Sequence, residues 1–242
     1  MAYYNQNNYA SVPYPSSAHP DATVKSGGCG VCCASMVVEE LTGKKWPPNE
    51  SAAYSISCGG RVAEGTDMIA LAKALAVTYG LKVRQTKSID DVLSAMQYSG
   101  AIVVANSKGG SAGLFSTGGH FIILRRIQSP YIVVWDPDLY AGKYDKSWRK
   151  GKAQVYGNEV YVLPATLDSD IRKDYSAYFI FTKGVQQVEP TIKDTAVKMG
   201  ETQIPAKLID GVTYVPLRAF VEAIKTELDV TWSAEAGAGV EL

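Results

Sequence analysis

The chain is predicted to fold as an α+β protein, with N-terminal helices packed on an antiparallel sheet and a small αβ second domain following them. Three observations predict this. Between residues 29 and 99 apolar side chains recur at helical spacing, from Ala101 to Phe181 they gather into β-branched and aromatic runs of strand length, and after residue 190 a new hairpin signal and a short amphipathic stretch appear. The expected organisation is a main domain over residues 1–183, a linker at 184–190 and a second domain at 191–242. A chain of 242 residues is long enough for both.

Residues 1–28 are rich in Tyr, Asn, Ser and Pro and lack a helical period, so they are expected to form an irregular arm wrapped on the main domain. Val31, Cys32, Met36, Val37 and Leu41 then repeat on a helical spacing, giving a helix from Cys29 to about Leu41 that Thr42-Gly43 and Pro47-Pro48 bring to an end. A shorter helix enters at Pro48-Asn49-Glu50 and leaves at Cys58-Gly59-Gly60. Glu64-Gly65-Thr66 is expected to cap the next, with Met68, Ile69, Leu71, Ala72 and Leu75 on one side and Gly80 as its stop. Leu81-Lys82-Val83 reads as a short strand, and Ser88 with Asp91 as the capped start of a helix that Gly100 ends.

Beyond Gly100 the pattern turns extended. Residues 101–105, 120–124 and 131–135 are expected strands, with later ones at 161–163 and 177–181. Residues 107–113 read as a mobile, glycine-rich loop. In the second domain, Asp210-Gly211 between two β-rich runs is the signal of a hairpin, Leu217, Phe220, Val221 and Ile224 mark a short helix, and residues 230–232 a final strand.

Composition narrows the function classes. The 24 basic and 24 acidic residues cancel, so neither nucleic acid nor an anionic membrane is indicated as a partner. No apolar run reaches the ~18 residues of a membrane helix, and the polar N-terminus does not resemble an export signal, so synthesis in the cytoplasm is expected. The cysteines at 29, 32, 33 and 58 are too clustered for a disulfide framework. Cys29 and Cys32 form one CxxC pair without a second pair at zinc-binding spacing, and no phosphate-binding glycine loop is present, so no metal and no cofactor are expected.

The chemistry converges on Gly27-Gly28-Cys29-Gly30, which delivers a cysteine onto the first turn of a core helix. The unsatisfied N–H groups and partial positive charge there favour a thiolate, the reactive form. Cys32 and Cys33 read as buried helix residues. A cysteine nucleophile needs a base and a group to orient it, and the chain has only two histidines, His19 and His120. His120 follows Gly118-Gly119 and opens a strand; Asp136-Pro137 closes the next. If those strands pair across the 125–129 connection, the imidazole and the carboxylate fall side by side. Singly, His120 reads as a surface histidine and Asp136 as a turn residue; the ordered set of three is what points to catalysis.

Gly28-Cys29-Gly30, Gly118-Gly119-His120-Phe121-Ile122-Ile123-Leu124 and Val133-Val134-Trp135-Asp136-Pro137 resemble the three signature blocks of bacteriocin-processing-type, papain-like cysteine peptidases over about residues 1–183. The family commonly continues its first block as Gly-Cys-Gly-Pro-Thr, where this chain has Val31-Cys32 in the last two places. The resemblance implies Cys29 as nucleophile, His120 as general base and later acid, and Asp136 as orienting group. Members also use an upstream glutamine as an oxyanion donor; Gln6 is the only one before Cys29, and it reads equally as a surface residue of the arm.

Residues 212–223 with Val230-Thr231-Trp232 are similar to a non-catalytic stalk domain of copper amine oxidases that is widespread in clostridial surface proteins, which implies cell-wall attachment or self-association. Together the two resemblances imply a phage or prophage endolysin-like hydrolase, acting at the wall after release and cleaving a peptidoglycan amide as endopeptidase or amidase. A protein-processing peptidase and a non-catalytic cell-envelope binding protein are the alternatives.

Overall fold

The computed structural model describes residues 2–174, 176–184, 192–209 and 212–228. The chain divides into two compact units, Met1–Gly184 and Val185–Leu242. In the first, a single turn of 3-10 helix at Gln6–Asn8 and the short helix α1 (Val24–Gly27) interrupt the arm, so the arm is more ordered than its composition suggests. Helices α2 (Cys29–Thr42) and α3 (Pro48–Ser57) follow, then the hairpin β1 (Arg61–Val62) and β2 (Gly65–Thr66), α4 (Met68–Tyr79), β3 (Leu81–Thr86) and α5 (Ile89–Tyr98). The sheet strands are β4 (Ile102–Ser107), β5 (His120–Gln128), β6 (Tyr131–Trp135), β7 (Gln154–Tyr156) and β8 (Glu159–Val162); after helix α6 (Pro164–Asp170) comes β9 (Tyr178–Lys183).

Seven of these strands form one antiparallel sheet in the order β3-β9-β4-β5-β6-β8-β7. The α+β architecture of helices on a large antiparallel sheet is therefore as expected. Both faces of the sheet are covered, and the side chains alternate between them with the period of the pleat. Val104, Ile123, Phe179 and Phe181 share a core with α2 and α4, while Val103, Ile122, Leu124 and Ile180 share one with α5 and α6. Burial on both sides is why these strands read as unbroken apolar runs.

Several local expectations are corrected. Glu64 does not cap α4: Gly65 and Thr66 are paired with Arg61 and Val62, and Asp67 takes the cap by accepting from the backbone N–H groups of Ile69 and Ala70. β5 runs on to Gln128, so the 125–129 connection shrinks to a turn at Ser129-Pro130, whose peptide bond is cis. The glycine-rich loop after β4 is pinned. Leu114 and Phe115 are buried, the Leu114 N–H donates to Asp170 and Arg149 Nε donates to the Gly113 carbonyl. Strand β7, with every residue exposed, left no apolar signal to read.

In the second unit β10 (Ile192–Met199), β11 (Thr202–Ile209) and β12 (Val212–Tyr214) form an antiparallel sheet, followed by helix α7 (Leu217–Leu228). Ile209 pairs with Val212 across the expected hairpin, and Ile204, Ala206 and Ala223 are buried. Of the expected linker at 184–190 only Gly184 is among the described residues; 185–190, Asp210 and Gly211 of the turn and the strand at 230–232 lie outside them. Among the described residues no helix is long and apolar enough to cross a membrane.

Helix α2 is the element that positions the candidate nucleophile, and ten of its residues are buried. It lies so close to β2 that a Cβ built on Gly30 would sit 2.6 Å from the Thr66 Cβ and 2.7 Å from its Oγ1. Thr66 is short and branched and cannot swing aside, so the contact requires glycine. Gly30→Ala is expected to overpack this contact and cost about 1–3 kcal/mol; a thermal melt that matches the parent would show that α2 can shift away from β2.

Candidate active site

The sequence at the start of α2 explains its geometry. Thr23 and Ser26 form a capping box that turns the chain through α1, and Gly28 joins α1 to α2. A Cβ on Gly28 would meet the Val24 carbonyl oxygen at 2.5 Å, so the tight junction needs glycine. Cys29 is thereby set at the first helical position, partly exposed, whereas Cys32 and Cys33 on the next turn are fully buried.

His120 begins β5 and is buried. Register places Ile123 opposite Trp135, so the start of β5 runs past the end of β6 and brings Asp136 to the imidazole. Nε2 of His120 lies 2.7 Å from Oδ1 of Asp136, which is itself fully buried. The Cys29 thiol is in hydrogen-bonding contact with the same ring. With Nε2 held by the carboxylate, Nδ1 is the nitrogen left to face the sulfur.

Electrostatics follow from this arrangement. Burial alone would raise the Cys29 pKa, but the His120 ring and the backbone N–H groups of Phe121 and Gly30 stabilise the thiolate and bring it below the ordinary thiol value. Burial alone would lower the His120 pKa; Asp136 and Cys29 outweigh it and push it up to about 9. For Asp136, burial is outweighed by His120 and Lys143, which hold its carboxyl well below the usual carboxylate range. Cys32 and Cys33, with burial and no compensating donor, are pushed well up. The two shifts act in the same sense, both favouring a thiolate at Cys29 beside an imidazolium at His120. The stabilisation from charging His120 is full below its unfolded pKa and is lost as pH rises through about 9.

Of the four residues expected at the site, the fold brings Cys29, His120 and Asp136 together, and Gln6 bonds to chain neighbours of Cys29 and Asp136. Its Nε2 donates to the carbonyl of Lys25 in α1 at 2.8 Å, and its backbone N–H donates to the carbonyl of Pro137 at 2.7 Å. Gln6 is mostly buried and its Oε1 has no hydrogen-bond partner among the described residues. The arm around it clasps the turn after Asp136: Tyr3 donates to the Asp136 carbonyl at 2.6 Å, Asn5 to that of Leu139 at 2.6 Å and Asn7 to the Asp138 carboxylate at 3.0 Å. The other histidine, His19, is on the surface beside Glu64.

The residues that sequence reasoning missed surround Asp136. Oδ1 also accepts from the Asp138 backbone N–H at 2.9 Å, and Oδ2 accepts from the Tyr144 hydroxyl at 2.7 Å and lies 2.8 Å from Lys143 Nζ. Lys143 and Tyr144 lie on a single turn of 3-10 helix, Lys143–Asp145, too short to show a periodicity in the sequence. Among the described residues no group of three or more His, Cys, Asp or Glu side chains is placed to hold a metal ion.

No protein-family model and no curated protein matches the chain. Among solved structures it is similar to the peptidase domain of Streptococcus ComA, a bi-functional ABC transporter involved in a quorum sensing pathway. The identity is 15%, the TM-score 0.43, and the match covers 64% of this chain and 90% of that one.

Two outcomes test the electrostatics. Iodoacetamide at pH 6 is expected to alkylate Cys29 before Cys32 or Cys33, read by peptide mass spectrometry. Asp136→Asn removes the charge that holds the proton on His120, so alkylation of Cys29 at that pH should slow by about tenfold or more, one pKa unit being a tenfold change in thiolate. An unchanged rate would show that Asp136 does not support the pair.

Proposed function

We propose that the chain is a cysteine peptidase that hydrolyses amide bonds in a peptide or protein substrate. The observation that carries this is the series Cys29, His120, Asp136, in which a buried carboxylate holds one nitrogen of an imidazole that also interacts with the partly exposed thiol. A core cysteine or a surface histidine has no need of that arrangement, whereas acyl transfer to sulfur requires it.

In the proposed mechanism the Cys29 thiolate attacks the scissile carbonyl carbon, and the electron pair of the carbonyl moves onto oxygen. The backbone N–H of Cys29 and the Gln6 side-chain amide are the proposed donors to that oxyanion, each such donor contributing about 3 kcal/mol in related chemistry. The second N–H of the Gln6 amide is the one available, since the first is held by Lys25. As the intermediate collapses, the His120 imidazolium gives its proton to the departing amine and a thioester to Cys29 remains. His120, now neutral, takes a proton from water; the hydroxide displaces the sulfur, the acid product leaves, and the thiolate–imidazolium pair is restored. Asp136 keeps the ring oriented throughout.

Glycine backbone flanks the reacting groups, Gly27 and Gly28 before the nucleophile and Gly118 and Gly119 before the base. An extended chain could approach there closely, which suits a processing peptidase. Peptidoglycan is the more specific substrate implied by the resemblance of residues 191–242 to a stalk domain, and the same experiment decides between the two.

Purified full-length chain is expected to cleave a mixture of unstructured peptides, with Cys29→Ala and His120→Ala reducing the rate by several orders of magnitude. Equal cleavage by Cys29→Ala would overturn the peptidase reading. Parallel incubation with purified Gram-positive walls gives the second arm: release of cross-bridge fragments or of free stem peptides, dependent on Cys29, would move the substrate to the wall.

A further inference from the structure

Lys143 is 1% exposed, one of the largest fully buried side chains in the protein, and the mechanism above makes no use of it. Burying an ammonium costs several kcal/mol unless it is closely paired, and apolar residues of similar volume commonly serve stability better. Its position is specific. Nζ lies 2.8 Å from Asp136 Oδ2, 3.3 Å from Asp138 Oδ2 and 3.0 Å from the Asp138 carbonyl oxygen. The stretch that carries it is itself fixed, because buried Arg149 donates from Nη1 to the Lys143 carbonyl.

We propose that Lys143 is a positioning residue for the catalytic pair, which locks and partly neutralises Asp136 through the oxygen that His120 does not use, and so sets the pH range in which Cys29 and His120 are both charged. The proposal rests on the cysteine-peptidase reading of the same site. Two physical effects support it. With Lys143 and Tyr144 on Oδ2 and the Asp138 N–H on Oδ1, the carboxylate cannot rotate, and the remaining lone pair of Oδ1 is held toward His120 Nε2. Secondly, Lys143 offsets the charge of buried Asp136 beside the Cys29–His120 pair, which leaves the partly exposed Asp138 carboxylate as the one uncompensated charge of the group.

The surrounding groups do not supply a substitute cation. Tyr140 presents its ring to Nζ at 5.7 Å, Tyr144 donates to Asp136, and Tyr3 donates to the Asp136 carbonyl. The Arg149 guanidinium is committed to the carbonyls of Gly113 and Lys143. Around the sulfur, Tyr14, Cys32 and Cys33 are neutral near pH 7. Without the ammonium, Asp136 and Asp138 act on the pair uncompensated. His120 would then hold its proton more tightly, and Cys29 would lose positive potential, so both ionisations move to higher pH.

The test follows the rate of Cys29 alkylation by iodoacetamide from pH 3 to 10 in the full chain, each cysteine read separately by mass spectrometry. In the parent an acid-side wave is expected, and His120→Ala should abolish it. Lys143→Met should move the midpoint of that wave up by about one pH unit, the size expected for a unit charge at this range in a partly screened interior. Lys143→Gln, which keeps a donor to the two aspartates, should move it the same way, and it decides the matter if the methionine variant does not fold. Lys143→Arg keeps the charge and should leave the midpoint near the parent's even where the overall rate changes. A folded Met or Gln variant with an unmoved midpoint overturns the role of Lys143 while the peptidase reading stands. A parent without a wave that depends on His120 overturns both.

Discussion

A carboxylate with no access to water has to be satisfied by donors, and at Asp136 those donors come from four directions. His120 and the Asp138 N–H hold one oxygen; Tyr144 and Lys143 hold the other. An unpaired buried charge costs several kcal/mol, so each of these groups is held to the carboxylate as firmly as it holds the carboxylate in turn. The arrangement of the first unit around β5, β6 and the stretch from residue 136 to 149 is what brings the donors together. The raised pKa of His120, and through it the lowered pKa of Cys29, depend in turn on that carboxylate.

The N-terminal arm is part of the same construction. Tyr3, Asn5, Gln6 and Asn7 all bond to the stretch from Asp136 to Leu139, while the Gln6 amide reaches α1, just ahead of Cys29. The arm thus bridges the helix that delivers the sulfur and the turn that delivers the carboxylate. A tyrosine- and asparagine-rich composition suits both of its tasks: Asn5, Asn7 and the Tyr3 hydroxyl satisfy groups of the turn, while Tyr4 and Tyr14 are buried in the core.

Sequence patterns were sufficient for the parts governed by local chemistry. Helix α2 shows its apolar period and its Gly43 stop, Ser88 caps α5 as its spacing with Asp91 suggests, and the alternation of Val103 and Val104 between two cores accounts for the apolar run of β4. A glycine-flanked cysteine and a single histidine at a strand start were enough to single out the residues that the fold draws together. What was hidden depends on tertiary contact. Lys143 and Tyr144 have no periodicity, and their burial is decided by Asp136 and Arg149. Asp67 prevails over Glu64 as the cap of α4 because Gly65 and Thr66 are taken up by a hairpin. The loop after β4 reads as free from its glycines, yet Leu114 and Phe115 anchor it in the core.

The strand order carries a consequence for how the protein comes into being. β9, the last strand of the first unit in sequence, lies between β3 and β4, so the two parts of the sheet that flank it have no bonded neighbour to join them until it is made. Synthesis runs from the N-terminus, so Cys29 emerges first, His120 and Asp136 much later, and the joining strand last. Until residues 120–136 have been made, the sulfur has neither the imidazole nor the buried aspartate beside it. The surroundings that lower the Cys29 pKa are thus made by tertiary packing of α2 on β5 and not by the local sequence around the cysteine.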